Sequence, residues 1–121
     1  MPKVLIADDE QELLELLRFS FDAAGYQVIT ACDGKKALDL TRTEKFDLIV
    51  MDVMMPQMDG YHAASEISQD PTSPPILLLT SRDYSKDLPA VKGSGAAAFL
   101  QKPFEISELL EVAKKLIQEQ A

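Results

Sequence analysis

Three short stretches of this chain are apolar at almost every position: KVLIA at 3–7, LIVM at 48–51 and PILLL at 75–79. A strand with one solvated face alternates apolar and polar residues, so runs without alternation imply burial on both faces. None approaches the roughly 20 residues that a membrane-spanning helix needs. Short strands buried on both sides must be covered by helices above and below. This feature therefore restricts the chain to the α/β class with a parallel sheet.

The segments between the runs have helical periodicity. Leu14, Leu17, Phe21 and Ala24 recur at helical spacing over Glu10–Ala24, and Gly25 ends that helix as a C′ glycine. Tyr26–Ala31 predicts a less apolar, edge strand, Asp33-Gly34 a turn, and Lys35–Thr43 a short helix. Phe46–Met51 predicts the third strand, and a loop with Pro56 leads to a helix from about Gly60 to Ser68. Pro75–Leu79 predicts the fourth strand and Ala97–Leu100 the fifth. Ile106, Leu109, Leu110, Ala113, Leu116 and Ile117 share one face of a closing helix. No repeat, low-complexity stretch or linker interrupts the pattern, so residues 1–121 are expected to form one domain.

Composition narrows the function. A net charge of −8 opposes direct nucleic-acid binding, which needs a basic face. The single cysteine, Cys32, excludes an internal disulfide and a cysteine-based zinc site. The N-terminus lacks the long apolar stretch of a signal peptide. A cytoplasmic protein with no membrane contact is expected, with Cys32 a buried or half-buried filler. His62 is expected to be an exposed helix residue, Met55 and Met58 loop packing, and Lys114-Lys115 a solvated helix edge.

In doubly wound sheets ligands bind beyond the carboxyl ends of the strands, at a switch point. The residues there are Asp8-Asp9, Asp52, Thr80-Ser81 and Lys102-Pro103. Singly, each has an ordinary reading: a strand-end aspartate commonly caps a helix or forms a turn. Jointly they carry chemistry. If the strand order is 2-1-3-4-5, three carboxylates converge, repel one another and raise one another's pKa values. A hard cation relieves that repulsion, and magnesium suits two or three carboxylates with a backbone carbonyl. A hydroxyl from Thr80 and an ammonium from Lys102 complete the parts needed to stabilise a transferring phosphoryl group. An aspartate in that setting can be the nucleophile, forming an acyl phosphate.

These residues lie in the motifs ADDE at 7–10, MDVMMPQMDG at 51–60, LLLTS at 77–81 and FLQKPF at 99–104. In that order and separation the chain resembles the receiver domains of bacterial two-component response regulators. The resemblance implies a flavodoxin-like (βα)5 sandwich in the order 2-1-3-4-5, with Asp52 as phosphoacceptor. It implies that Asp9 ligates Mg2+ directly, Asp8 acts through water and Met54 contributes its backbone carbonyl. Thr80 is then the switch hydroxyl, Lys102 the phosphoryl-binding lysine, the Lys102-Pro103 bond cis, and Phe99 the switch aromatic. Met54, Ser81 and Arg82 stand where the family tunes phosphoryl lifetime. The implied partners are a sensor histidine kinase or phosphotransfer protein upstream and a protein target or effector domain downstream.

Some positions depart from the family's common pattern. Phe99 is often tyrosine there, GAAAFL at 95–100 lacks an acidic pair, and Ser81 narrows access where alanine or glycine is frequent. In RDYSKDLPAVKGSG at 82–95, Pro89 falls within the expected helix, where it costs about 3 kcal/mol. A shortened helix beginning near Pro89, or a mobile segment, is expected. Two other classes compete. A degenerate receiver serving only as a protein-interaction module is opposed by the complete acid, hydroxyl and lysine set. A magnesium-dependent phosphatase would want a second acid at position 54, which is methionine. No effector segment is recognisable after the last helix, which favours a stand-alone protein acting through protein contacts.

Overall fold

A computed structural model describes residues 1–81 and 93–119. Five strands, β1 (Lys3–Ala7), β2 (Gln27–Ala31), β3 (Leu48–Asp52), β4 (Ile76–Thr80) and β5 (Ala98–Gln101), form one parallel sheet in the order β2-β1-β3-β4-β5. Between and after them lie α1 (Gln11–Ala23), α2 (Gly34–Thr43), α3 (Gly60–Ser68) and α4 (Ile106–Gln118). The expected order is therefore the observed one, with the less apolar β2 at an edge.

The apolar runs are buried for the reason their composition implies. Alternate residues of β1, β3 and β4 enter two separate cores. Leu5, Ile49, Met51 and Leu78 pack with Ala37 and Leu38 of α2 and with Ala63, Ala64 and Ile67 of α3. Val4, Ile6, Val50, Leu77 and Leu79 pack with Leu14, Leu17 and Phe21 of α1 and with Leu109, Ala113 and Leu116 of α4. Each fully buried Leu or Ile contributes about 1.5–3 kcal/mol, so the central strands cannot turn a face to solvent.

Helix ends fix how each strand hands over to its helix. At the end of α1 the Gly25 N–H donates to Asp22 O (3.0 Å) and the Tyr26 N–H to Phe21 O (3.1 Å). This paired closure requires a positive φ, and Gly25 supplies it at 98°. Asp33 caps α2, its carboxylate accepting the Lys36 N–H at 2.7 Å, so that helix starts at Gly34 and not one residue later. Asp59 caps α3 in the same way, accepting the His62 N–H at 2.8 Å.

Other sequence expectations are corrected as well, with β2, β4 and β5 each starting one residue later than expected. The third strand starts at Leu48 rather than Phe46 and runs on to Asp52. Asp47 instead bonds sideways to β1, its N–H donating to Lys3 O (2.7 Å) and its carboxylate accepting the Lys3 N–H (2.8 Å). Cys32 is exposed, not a buried filler, because it leaves an edge strand after its last paired residue, Ala31. Ala24 is an exposed cap residue beyond the buried stripe of α1. His62 is exposed, Met55 and Met58 pack at the rim of one core, and Lys114-Lys115 is solvated, as read from the sequence. The segment around Pro89, and Arg82, lie outside the described residues. Of that stretch, Gly93 and Ser94 are helical and Gly95 takes φ 70°.

Candidate phosphoacceptor and metal site

The strand register sets the site. Ala7 of β1 pairs with Met51 of β3, and Asp52 pairs with Leu79 of β4. Three backbone bonds continue the ladder past the strand ends: Asp8 N–H to Ala31 O (3.1 Å), Val53 N–H to Leu79 O (2.8 Å) and Lys102 N–H to Thr80 O (2.7 Å). Asp8 and Lys102 are thus held on a rigid sheet edge beside Asp52, where geometry is tighter than on loops.

Asp8, Asp9 and Asp52 each offer a carboxylate oxygen within 4.8 Å of the others. Asp8 is 1% exposed and Asp52 5%, whereas Asp9 faces solvent. The Lys102 ammonium lies 3.1 Å from Asp52 Oδ1 and 3.8 Å from Asp8 Oδ2. Asp8 Oδ1 accepts the Glu10 N–H at 2.9 Å, but the buried Oδ2 has no hydrogen-bond donor among the described residues. A buried carboxylate oxygen without a donor is costly and calls for a cation. Three carboxylates against one ammonium leave an excess of two negative charges, which fits a divalent ion with oxygen ligands.

Electrostatics agree with the geometry. Burial pushes the Asp8 carboxyl up to about 6 from an ordinary 3.8. The Glu10 N–H and Lys102 oppose the shift, and Asp52 and Asp9 add to it. Burial also raises Asp52, against the hydrogen bond and charge of Lys102. The attraction over 3.1 Å is roughly 5 kcal/mol at an effective dielectric near 20. Removing a carboxylate from water costs several kcal/mol, and the upward direction shows that this cost wins. The site is therefore short of positive charge.

The other expected residues take distinct places. Thr80 ends β4 and is 1% exposed, while Ser81 just beyond it is exposed. Met54 is 55% exposed in the loop between β3 and α3. Phe99 sits in β5 opposite Leu78, half-buried against the core beneath α2 and α3. The Lys102-Pro103 bond is cis. Sequence reading missed the close packing of Gly34 and Gly60 against the loop between β3 and α3; the repeated Asp-Gly pair at 33–34 and 59–60, each aspartate capping a helix, was the available signal. A cavity of about 480 Å³ at the opposite end of the sheet, lined in part by Arg42, Phe46, Glu66 and Asp70, lies away from this chemistry.

A five-stranded doubly wound sheet with an acid cluster, a hydroxyl and a lysine at its carboxyl edge defines a phosphoacceptor-type signalling domain. The response regulator receiver domain family matches residues 4–114, and the chain belongs to it. It is 39% identical over 115 residues to the alkaline phosphatase synthesis transcriptional regulatory protein PhoP of Bacillus subtilis, covering 95% of this chain and 48% of PhoP. The chain thus spans about half the length of the curated relatives it matches. Among solved structures, the receiver domain of a Francisella response regulator superposes with TM-score 0.92 at 33% identity, covering the whole of both chains. The Thermotoga maritima response regulator TrrA, solved in complex with Mg2+-BeF, gives TM-score 0.86 at 34% identity, covering 96% of this chain and 99% of that one. Among the described residues, no helix is long and apolar enough to cross a membrane.

Proposed function

We propose that residues 1–121 form a single receiver domain that works as a phosphorylation switch in a two-component phosphorelay, with Asp52 as the acceptor. The observation that carries this reading is the Lys102 ammonium 3.1 Å from Asp52 Oδ1, inside a cluster of three carboxylates. An Asp52 oxygen attacks the phosphorus of a phosphohistidine on a sensor kinase or phosphotransfer protein. The P–O bond forms as the P–N bond breaks, and the imidazole leaves and takes up a proton. Lys102 holds a phosphoryl oxygen and offsets its charge. Asp9, Asp8 through water, Asp52 and the Met54 carbonyl are the residues that would hold Mg2+. When bound, that ion neutralises charge on the phosphoryl oxygens.

The added charge then draws the Thr80 hydroxyl inward, and the Phe99 ring follows into the vacated space. A few kcal/mol of differential contact between the two arrangements suffices to shift the population. Hydrolysis of the acyl phosphate resets the switch, at a rate set by Met54, Ser81 and Arg82. The domain acts on no other substrate, resides in the cytoplasm and passes its signal to a downstream protein or effector domain without itself contacting nucleic acid.

The test is incubation with acetyl phosphate and Mg2+, and separately with a phosphorylated kinase, followed by intact-mass measurement. Wild type should gain one phosphoryl group and Asp52→Ala none. No gain on wild type from either donor would refute the reading.

A further inference from the structure

The loop 53–59, which carries Met54, is held by backbone contacts at both ends and bent sharply between them. At its base the Gly60 N–H donates to Val53 O at 2.8 Å. A Cβ on Gly60 would collide with Asp52 O and lie 2.8 Å from Val53 Cα, so α3 starts directly on the backbone of the acceptor residue. At the far end Gly34, the first residue of α2, presses on the Met58 carbonyl. A Cβ there would overlap Met58 O and lie 3.0 Å from its carbonyl carbon and 3.3 Å from its Cβ. Between the two ends the Met58 N–H donates to Pro56 O at 2.7 Å, closing a three-residue turn around Gln57 at φ 70°. A non-glycine residue keeps such a φ only when its surroundings over-determine it.

Gly34 comes from a different helix, and its nearest neighbour in the loop is Met58. From this placement, and resting on the proposed function above, we propose that Gly34 is a positioning residue for the reaction at Asp52. Its bare Cα lets α2 close against Met58 and so fixes the path of the loop and the place of the Met54 carbonyl. Any side chain at 34 must force the start of α2 and the far end of the loop apart, because the obstructing atom is backbone and cannot rotate away. The Met58 side chain, packed against the core beneath α2 and α3, is the second anchor of the same end. The metal site is thereby coupled to the start of α2.

The test is calorimetric titration with Mg2+ of the whole chain in four forms: wild type, Gly34→Ala, Met58→Ala and Gly93→Ala. Gly93 has open space around its Cα and controls for the loss of a glycine. Gly34→Ala should weaken Mg2+ at least fivefold and Met58→Ala two- to threefold, with Gly93→Ala unchanged. Amide exchange at Met58 and Gly60 should quicken in the first two variants while exchange in β3 holds, a pattern that general destabilisation does not give. A folded Gly34→Ala with Mg2+ affinity within twofold of wild type would overturn the proposal. Should Gly34→Ala fail to fold, unchanged affinity in Met58→Ala overturns it instead. If wild type binds Mg2+ and is phosphorylated normally, such a result leaves the proposed function standing. If wild type binds no Mg2+, the metal reading fails and this inference fails with it.

Discussion

Replacing Asp8 with Asn should make the metal-free domain more stable, although the change removes a residue of the site. The reason lies in the direction of the Asp8 shift. Burial raises its carboxyl from 3.8 to about 6 in the folded state, so the folded protein holds this proton more tightly than the unfolded chain does. Below pH 3.8 both states are protonated and nothing is lost. Between pH 3.8 and 6 the unfolded chain has released a proton that the folded one retains, so stability falls as pH rises. Above pH 6 the penalty is complete. A shift of about two units corresponds to ~3 kcal/mol, and by the same linkage about 1 kcal/mol of it is in place at pH 4.5.

Asn keeps the shape of Asp and an oxygen for the Glu10 N–H bond now made by Asp8 Oδ1 at 2.9 Å, so the turn leading into α1 survives. Urea unfolding in EDTA at pH 7.5 should then place Asp8→Asn about 2–3 kcal/mol above wild type, with an unchanged denaturant slope. At pH 4.5 the gain should shrink to about 1 kcal/mol. A variant that is neutral or less stable at pH 7.5 would refute the reasoning, as would a gain that does not change with pH. The first result would mean that the ion pair to Lys102 outweighs desolvation, the second that the gain does not come from the Asp8 proton.

Two other expectations follow from the same geometry. Gly60→Ala should destabilise by about 3 kcal/mol, because its Cβ meets the backbone of Asp52 and Val53 and α3 must lift off the strand end; urea unfolding showing a loss below about 1 kcal/mol would contradict the close approach. Lys102→Met should slow phosphorylation by acetyl phosphate at least tenfold and move the Asp52 carboxyl further up, since Lys102 is the main group that holds it down, ahead of the Val53 N–H; a carbon-detected NMR titration with Asp52 unmoved would count against the 3.1 Å pair.

The parts legible in the sequence were those governed by burial and by position on a strand. VLIA, LIVM and ILLL could be buried only between two helical layers, and once the strands were placed, Asp8, Asp9, Asp52, Thr80 and Lys102 had to fall on one edge. The β3 limits were not legible, because Phe46 is apolar and buried yet lies before the first ladder pair, with the Lys3 ammonium 5.2 Å from its ring centroid. Cys32 was misread because local pattern does not say how far an edge strand's last turn is covered. Least legible was the path of 53–59. The positive φ at Gln57 goes with the turn closed by the Met58 N–H to Pro56 O, in a loop against which Gly60 packs at one end and Gly34, 23 positions before Gln57, at the other.

That long-range control bears on why the site tolerates its own charge. Burying Asp8 beside Asp52 costs the domain ~3 kcal/mol by the shift to about 6. A ligand that binds only the folded state returns about 2.7 kcal/mol when its concentration is a hundred times its dissociation constant. The two quantities are nearly equal, so a cation at that saturation would almost cancel the penalty. Lys102 alone does not, since Asp52 stays raised with the ammonium already 3.1 Å away. An apolar or amide residue at position 8 would give a sturdier fold and a weaker site. The sequence keeps the acid, and it holds the surrounding backbone with three ladder bonds beyond the strand ends and two glycines that admit no side chain.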